Sequence, residues 1–275
     1  MPGALLVLLL ALLFLSKARA QLQAVPDQEP QRVFAGEGWK INVRFHNSSG
    51  SPVAADLRTR LYQASSATAV ALDEVPWKKM EVLPGQTVLE SATMTFPTVK
   101  AETRFLVKWL EGTNKVAGTT EVVVYPTDLL KGLKPLAGEE ALGVLDPQNQ
   151  LKPLLKAAGV EFQDLEDTSM EDYRGKLAFI GLFQSKAQMR ESLPHRIKGL
   201  AEKGVGVVWM QPPPEKQQEL KPSFYTVPEG KGAIVIVQAS LLANLAENPQ
   251  AQLNLIQFAR LALHPEPPRL PNLSP

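Results

Sequence analysis

At 275 residues the chain is long enough for about two domains. A net charge of +1 with 21% charged and 44% hydrophobic residues excludes the strong basic field that nucleic acids or anionic lipids select. The complete lack of cysteine excludes disulfides, a thiol nucleophile, thiolate metal sites and a lipid-modified cysteine, so stability must come from core burial.

Residues 1–20, MPGALLVLLLALLFLSKARA, carry an apolar run from Ala4 to Leu15 and then Ala18-Arg19-Ala20, the small-x-small pattern of a signal peptidase site. The run is shorter than the roughly 20 residues a bilayer span requires. The expectation is a signal peptide cleaved after Ala20 and an exported protein, periplasmic or extracellular, with no stable membrane anchor afterwards. The sequon Asn47-Ser48-Ser49 would matter only in a eukaryotic secretory route.

Residues 21–126 read as an all-β domain. In Trp39-Lys40-Ile41-Asn42-Val43-Arg44-Phe45 every odd position is apolar and every even one polar, the mark of a strand with one wet face. The cluster His46 to Pro52 is then a turn, and further strands are expected over Leu57 to Gln63, Thr87 to Phe96, Thr103 to Leu110 and Thr119 to Tyr125. Six or seven short strands separated by turn signals predict an antiparallel sandwich of the immunoglobulin type.

The segment 127–140, with Lys131-Gly132-Leu133-Lys134-Pro135, reads as a linker. From 141 to 263 strand and helix alternate. Ala141 to Asp146 predicts a strand, and Leu151, Leu154, Leu155 and Ala158 share a helix face that ends at Gly159. Strands follow at Val160 to Leu165, Leu177 to Gly181, Val205 to Met210 and Ala233 to Val237. A helix started by Ser192 and Pro194 carries Leu193, Ile197, Leu200 and Ala201, and a last one opens with Asn248 and Pro249. This order predicts an α/β doubly wound parallel sheet with right-handed crossovers. The tail, 264–275, holds five prolines and reads as extended or disordered.

Leu142-Gly143-Val144, Met170-Glu171-Asp172-Tyr173-Arg174 and Leu200-Ala201-Glu202-Lys203-Gly204-Val205-Gly206-Val207-Val208 resemble the class I glutamine amidotransferase-like superfamily, which implies a flavodoxin-like fold. Gly232 to Gln238 followed by Asn248-Pro249-Gln250-Ala251 is similar to the form of that domain carried as an accessory unit by bacterial multidomain glycoside hydrolases, and Val43-Arg44-Phe45-His46-Asn47 with Leu83-Pro84-Gly85-Gln86 resembles the immunoglobulin-like spacers of such enzymes. The resemblance implies a Cys after the nucleophile strand and a later His-x-Glu pair. This chain has Met210-Gln211-Pro212 at that strand end, and its His264-Pro265-Glu266 lies beyond the final helix.

Ligands of open parallel sheets bind outside the carboxyl ends of the strands. Those ends carry Asp146, Glu166, Asp167, Phe183, Gln184, Gln211 and Gln238. Asp146, Gln184, Gln211 and Gln238 are the binding candidates, because they could hydrogen-bond sugar hydroxyls; the opposing reading makes Asp146 the opener of a turn before a helix and the glutamines solvated loop residues. Ser240, before Leu241-Leu242-Ala243-Asn244-Leu245, is read as a helix cap rather than a nucleophile paired with His195. Glu139-Glu140 and Asp164-Leu165-Glu166-Asp167 are read as solvated charge rather than glycosidase pairs. Trp39, Trp109 and Trp209 are assigned to cores, and Trp77, in Val75-Pro76-Trp77-Lys78-Lys79, to a core role over an exposed sugar-stacking one. Three scattered histidines offer no metal-ligand spacing, and no cofactor is expected. The expected function is a non-catalytic exported binding or scaffolding protein, associated with polysaccharide handling, with carbohydrate or an envelope protein as partner and no nucleic acid. A hydrolase with an unrecognised strand-end site and an adaptor in an envelope complex are the alternatives.

Overall fold

A computed structural model describes residues 22–65, 67–166, 169–183, 185–212 and 224–265. The expected signal segment and all but the first two residues of the proline tail lie outside them. The chain divides into two compact units, 1–126 and 127–275.

The first unit is an all-β sandwich. Strands β1 (Leu22–Val25), β3 (Gly36–Asn47) and β6 (Thr87–Phe96) form a three-stranded sheet in the order β1-β3-β6. Strands β2 (Gln31–Phe34), β4 (Val53–Ala64), β5 (Ala69–Val82), β7 (Thr103–Glu111) and β8 (Lys115–Tyr125) form a five-stranded sheet in the order β2-β8-β7-β4-β5. All pairings are antiparallel except β2 with β8. Inward residues alternate as the sequence requires: Ile41, Val43 and Phe45 of β3 face Leu57, Phe105, Val107 and Trp109 of the other sheet across one core.

An aromatic group fills the middle of that core. Trp109 lies 4.9 Å from Trp77 and 5.9 Å from Phe45, edge to face in the second case. Its indole Nε1 donates to Thr120 Oγ1 at 2.9 Å, so the buried polar handle is satisfied. Trp77 therefore packs on the core from within β5. That strand escaped the sequence reading because it is an edge strand with both faces largely wet, carries Pro76, and is broken by register shifts at Leu57/Arg58 and Leu61/Tyr62.

Asn47 ties the turn after β3. It is fully buried; its Nδ2 donates to Ser51 O at 2.8 Å and Val82 O at 2.9 Å, and its Oδ1 accepts from the Ser49 amide and hydroxyl. The amide that a sequon would modify is thus already consumed in holding two chain segments together.

The second unit is a mixed six-stranded sheet. Strands β9 (Leu142–Leu145), β10 (Phe162–Asp164), β11 (Leu177–Gly181), β12 (Gly206–Gln211) and β14 (Gly232–Gln238) are parallel, in the flavodoxin-like order 2-1-3-4-5. The strand β13 (Phe224–Glu229), which the sequence reading did not expect, is at the sheet's edge and runs antiparallel to β14. Helix α1 (Lys134–Ala137), helix α2 (Leu151–Ala157) and helix α4 (Pro249–Leu263) cover one face, with Leu151, Leu155, Leu255 and Phe258 against Val144, Phe179, Val208 and Val235. Helix α3 (Leu193–Glu202) covers the other through Leu193, Ile197 and Leu200 against Ile180 and Val207.

The stretch 127–140, expected as a linker, belongs to this unit: a 3-10 turn over Leu129–Leu133 leads into α1, and Leu130 and Leu133 are buried against α4 and its neighbours. Helix boundaries follow their local chemistry. Asn248 Oδ1 accepts from the amides of Gln250 and Ala251 at the start of α4, with Pro249 in the first position. Gly159, at φ +64, lets its own amide and that of Val160 close back on Lys156 and Leu155 after α2. No helix among the described residues is long and apolar enough to cross a membrane.

Replacing Asn47 by Ala removes the side-chain donor to the buried Val82 carbonyl and the acceptor of the Ser49 amide, so urea unfolding of the sandwich should show a loss of about 1–3 kcal/mol. Asn47→Asp, which keeps the Oδ1 acceptor but turns the donor into an anion facing carbonyls, should be at least as damaging.

Candidate functional site

The carboxyl ends of the parallel strands meet the topological switch point between β9 and β11, and a cavity of about 650 Å³ opens there. Its apolar wall includes Leu145 from the end of β9, Phe183 from beyond β11 and Leu193 from α3; its polar wall includes Glu166, Arg190 and Arg196. The chain leaves β11 through two unusual backbone positions. Gly181, at φ +120, passes so close to Met210 O of the neighbouring strand that a Cβ would collide with it, and buried Leu182 sits in the left-handed region at φ +63. For a non-glycine residue that conformation costs of order 1–3 kcal/mol. It turns the chain so that buried Phe183 reaches the cavity wall.

Asp146 lies at the end of β9 but does not line the cavity. It is buried beneath α2, where its Oδ2 accepts from the amides of Leu151 at 2.7 Å and Lys152 at 2.9 Å. The carboxylate thus satisfies orphan donors at the helix start and matches the positive end of the helix dipole. Its Oδ1 is buried without a partner.

Lys152 gathers the neighbouring carboxylates. Its Nζ is 2.7 Å from Asp164 Oδ2 and 2.8 Å from Glu166 Oε1. Burial alone would push Asp164 up, but hydrogen bonds from the Lys152 ammonium and the Glu166 amide hold it below the usual carboxylate range. Burial would likewise lower Lys152, yet its two carboxylate partners raise it on balance. A glycosidase acid requires the opposite displacement, a carboxyl held protonated near neutrality. The other pair considered, Glu139 and Glu140, borders a separate hollow beside Gly159 and Val160, at the amino ends of the strands.

Gln211 and Gln238 are register partners at the ends of β12 and β14. Gln211 lines a smaller depression of about 210 Å³ with Met189, Pro194 and Pro212, and Arg190 stands on the rim of both hollows. Gln184 lies outside the described residues. Ser240, expected to cap a helix, lies exposed inside a 3-10 turn (Ala239–Leu242) whose N-cap is Gln238, because the chain makes only one such turn before Ala243. Among the described residues no hydrogen bond joins Ser240 to His195, which is on α3. The two other histidines fall on β3 and at the end of α4, and no group of three histidine or acidic side chains among the described residues could hold a metal ion.

Arg190 and Arg196 are the site residues that sequence reasoning passed over. Arg196 lies one helical turn into α3, and its Nε is buried without a hydrogen-bond partner; Glu171 Oε1 approaches only to 3.9 Å. The available signal was the pair of arginines flanking the Ser192-Leu193-Pro194 helix start, in a segment that follows the strand at the switch point.

No family model matches the chain, and no curated protein matches it. Similar solved structures include the alkylpurine DNA glycosylase AlkC of Pseudomonas fluorescens bound to DNA containing an abasic site analog (13% identity, 41% of this chain and 33% of that one, TM-score 0.31). Others are a Niemann-Pick type C2 protein from Japanese carpenter ant (7% identity, 39% and 96%, TM-score 0.30) and a β-glucosidase from Listeria innocua in complex with glucose (14% identity, 40% and 16%, TM-score 0.28). The matches to β-glucosidases are distant and cover segments of those enzymes. The chain spans about a third of the length of the glycosylase.

Removing the shared cation by Lys152→Met should cost about 1–3 kcal/mol at pH 7 in urea unfolding, since two carboxylates lose a common charged donor. Because Asp164 is held below its unfolded value of about 3.9, its contribution is present above that pH and is lost as pH falls through the folded value. Lys152→Met should therefore show a shallower loss of stability between about pH 4 and pH 2 than the parent chain.

Proposed function

We propose that this chain is an exported, non-catalytic binding protein whose α/β unit holds a small ligand in the cavity at the β9–β11 switch point. The observation that carries the reading is the cavity itself: a 650 Å³ hollow with a mixed apolar and cationic lining, placed where open α/β sheets bind ligands. We assign the α/β unit to the amidotransferase-like branch of flavodoxin-like folds and the first unit to immunoglobulin-like spacers. The support is the sequence patterns around Gly143, Tyr173 and Gly206, together with the strand order 2-1-3-4-5. Under that assignment the nucleophile position is held by Gln211 beside Gln238, and the strand-end acids serve Lys152 and a helix start. The setting we infer is polysaccharide handling outside the cytoplasm, by analogy with accessory regions of multidomain glycoside hydrolases.

The mature chain should bind soluble saccharides in calorimetric titration and should not hydrolyse a panel of glycosides, esters and amides. Turnover abolished by Gln211→Ala or Ser240→Ala would replace this reading with that of a hydrolase. Co-purification with an envelope protein and no saccharide binding would replace it with that of an adaptor.

A further inference from the structure

Resting on that reading, we propose that the switch-point cavity selects a hydroxylated carboxylate, a sugar acid of the uronate class, with Arg190 and Arg196 receiving its carboxylate. The cavity is lined by two guanidinium groups and one carboxylate, Glu166. Glu166 is itself matched by the Lys152 ammonium and Arg196 by Glu171, 3.9 Å from its Nε, so among the described residues Arg190 is the cation of the lining that has no ion-pair partner. The Nε of Arg196 is a buried donor that makes no hydrogen bond, with Glu171 Oε1 3.9 Å away, which leaves the outer N–H groups of its guanidinium to serve the hollow. A guanidinium presents its N–H groups in a planar fork that matches a carboxylate in two bonds, and the excess of about one positive charge suits a monoanion better than a phosphate ester of charge near −2.

The remaining lining fits the hydroxylated part of such a ligand. Both strong contacts of Glu166, from Lys152 Nζ and the Asp146 amide, fall on Oε1, and among the described residues none falls on Oε2. That oxygen is an acceptor for a sugar hydroxyl, and the Ser192 hydroxyl adds a donor and an acceptor on the same wall. Leu145, Phe183 and Leu193 offer an apolar surface for the C–H face of a pyranose ring. The volume accommodates more than one ring, which is compatible with an oligouronide end.

The test is calorimetric titration of the mature chain at low ionic strength with galacturonate and trigalacturonate, beside galactose and inorganic phosphate. The expected result is binding of the acidic sugars, with galactose and phosphate each weaker by about 10-fold or more. Arg190→Gln, on the exposed rim, should weaken galacturonate about 10-fold at unchanged melting temperature. Arg196→Gln should weaken it at least as much, and Arg190→Lys should recover only part of the loss. Phosphate binding as tight as galacturonate, or galacturonate affinity unchanged in Arg190→Gln, would overturn the assignment. Galactose binding equal to galacturonate would overturn it while leaving the saccharide-binding reading in place. Binding of no saccharide at all would end both.

Discussion

The hydroxyl of Tyr173 is the fixed point on which the α/β unit is assembled. It accepts from the Gly143 amide at 2.8 Å and faces two backbone carbonyls, Ala141 O at 2.9 Å and Leu177 O at 2.6 Å, to which it can donate. One side chain thereby fastens the entry of β9 to the entry of β11, the two strands whose far ends define the switch point. The knot dictates its neighbours. A Cβ on Gly143 would stand 2.9 Å from Tyr173 Cζ, and one on Gly175 would fall on the hydroxyl itself, so both positions demand glycine for space rather than for backbone freedom. Burial, opposed only in part by the amide bond, pushes the Tyr173 phenol up to about 12. Since the folded value is raised above the unfolded one of about 10, its contribution is complete below pH 10 and fades as pH rises through 12. The ionised ring would have to place an anion against two carbonyl oxygens.

The same knot explains what was legible in the sequence. Within Met170 to Arg174, Tyr173 is fixed with Gly143 and Gly175 by one buried contact, and a contact of that kind leaves little choice of residue. The core strands were legible for a related reason. In β3 one face is wet and one dry, and in β11 both are dry, so each has an unambiguous pattern. Strand β5 has no consistently dry face, and β13 has three intermediate positions and three exposed or bordering ones, so neither wrote its burial into its sequence. The stretch 127–140 misled in the opposite sense: Lys, Gly and Pro gave it a linker's composition, while Leu130 and Leu133, three residues apart, were already marking a buried helical face.

The site was legible only in outline. Strand ends could be located, which placed Asp146, Glu166, Gln211 and Gln238 at the correct edge of the sheet. Their roles depend on partners distant in sequence: Asp146 works for the start of α2, and Glu166 answers to Lys152, 14 residues away. Arg190 and Arg196 were invisible for the same reason. Their placement depends on where the chain goes after Gly181 and Leu182, and left-handed backbone at a leucine is not something a propensity would suggest.

Charge placement at this edge differs from that of a paired-acid site. Catalysis by paired acids needs two titrating groups whose environments push them apart, one kept protonated and one ionised. Lys152 does the reverse for Asp164, holding that carboxyl below the usual range, and also hydrogen-bonds Glu166, while Asp146 accepts from the amides of the helix start. The backbone adds to this. In hydrolases with a strand-to-helix elbow, the amide after the nucleophile supplies part of the oxyanion hole; after Gln211 that residue is Pro212, which has no N–H to give. Strand β12 therefore ends in Gln211 followed by a residue that cannot donate a backbone hydrogen bond to a tetrahedral intermediate. Arg190 and Arg196 line the hollow at the switch point, and there the Nε of Arg196 is buried without a hydrogen bond, Glu171 approaching only to 3.9 Å.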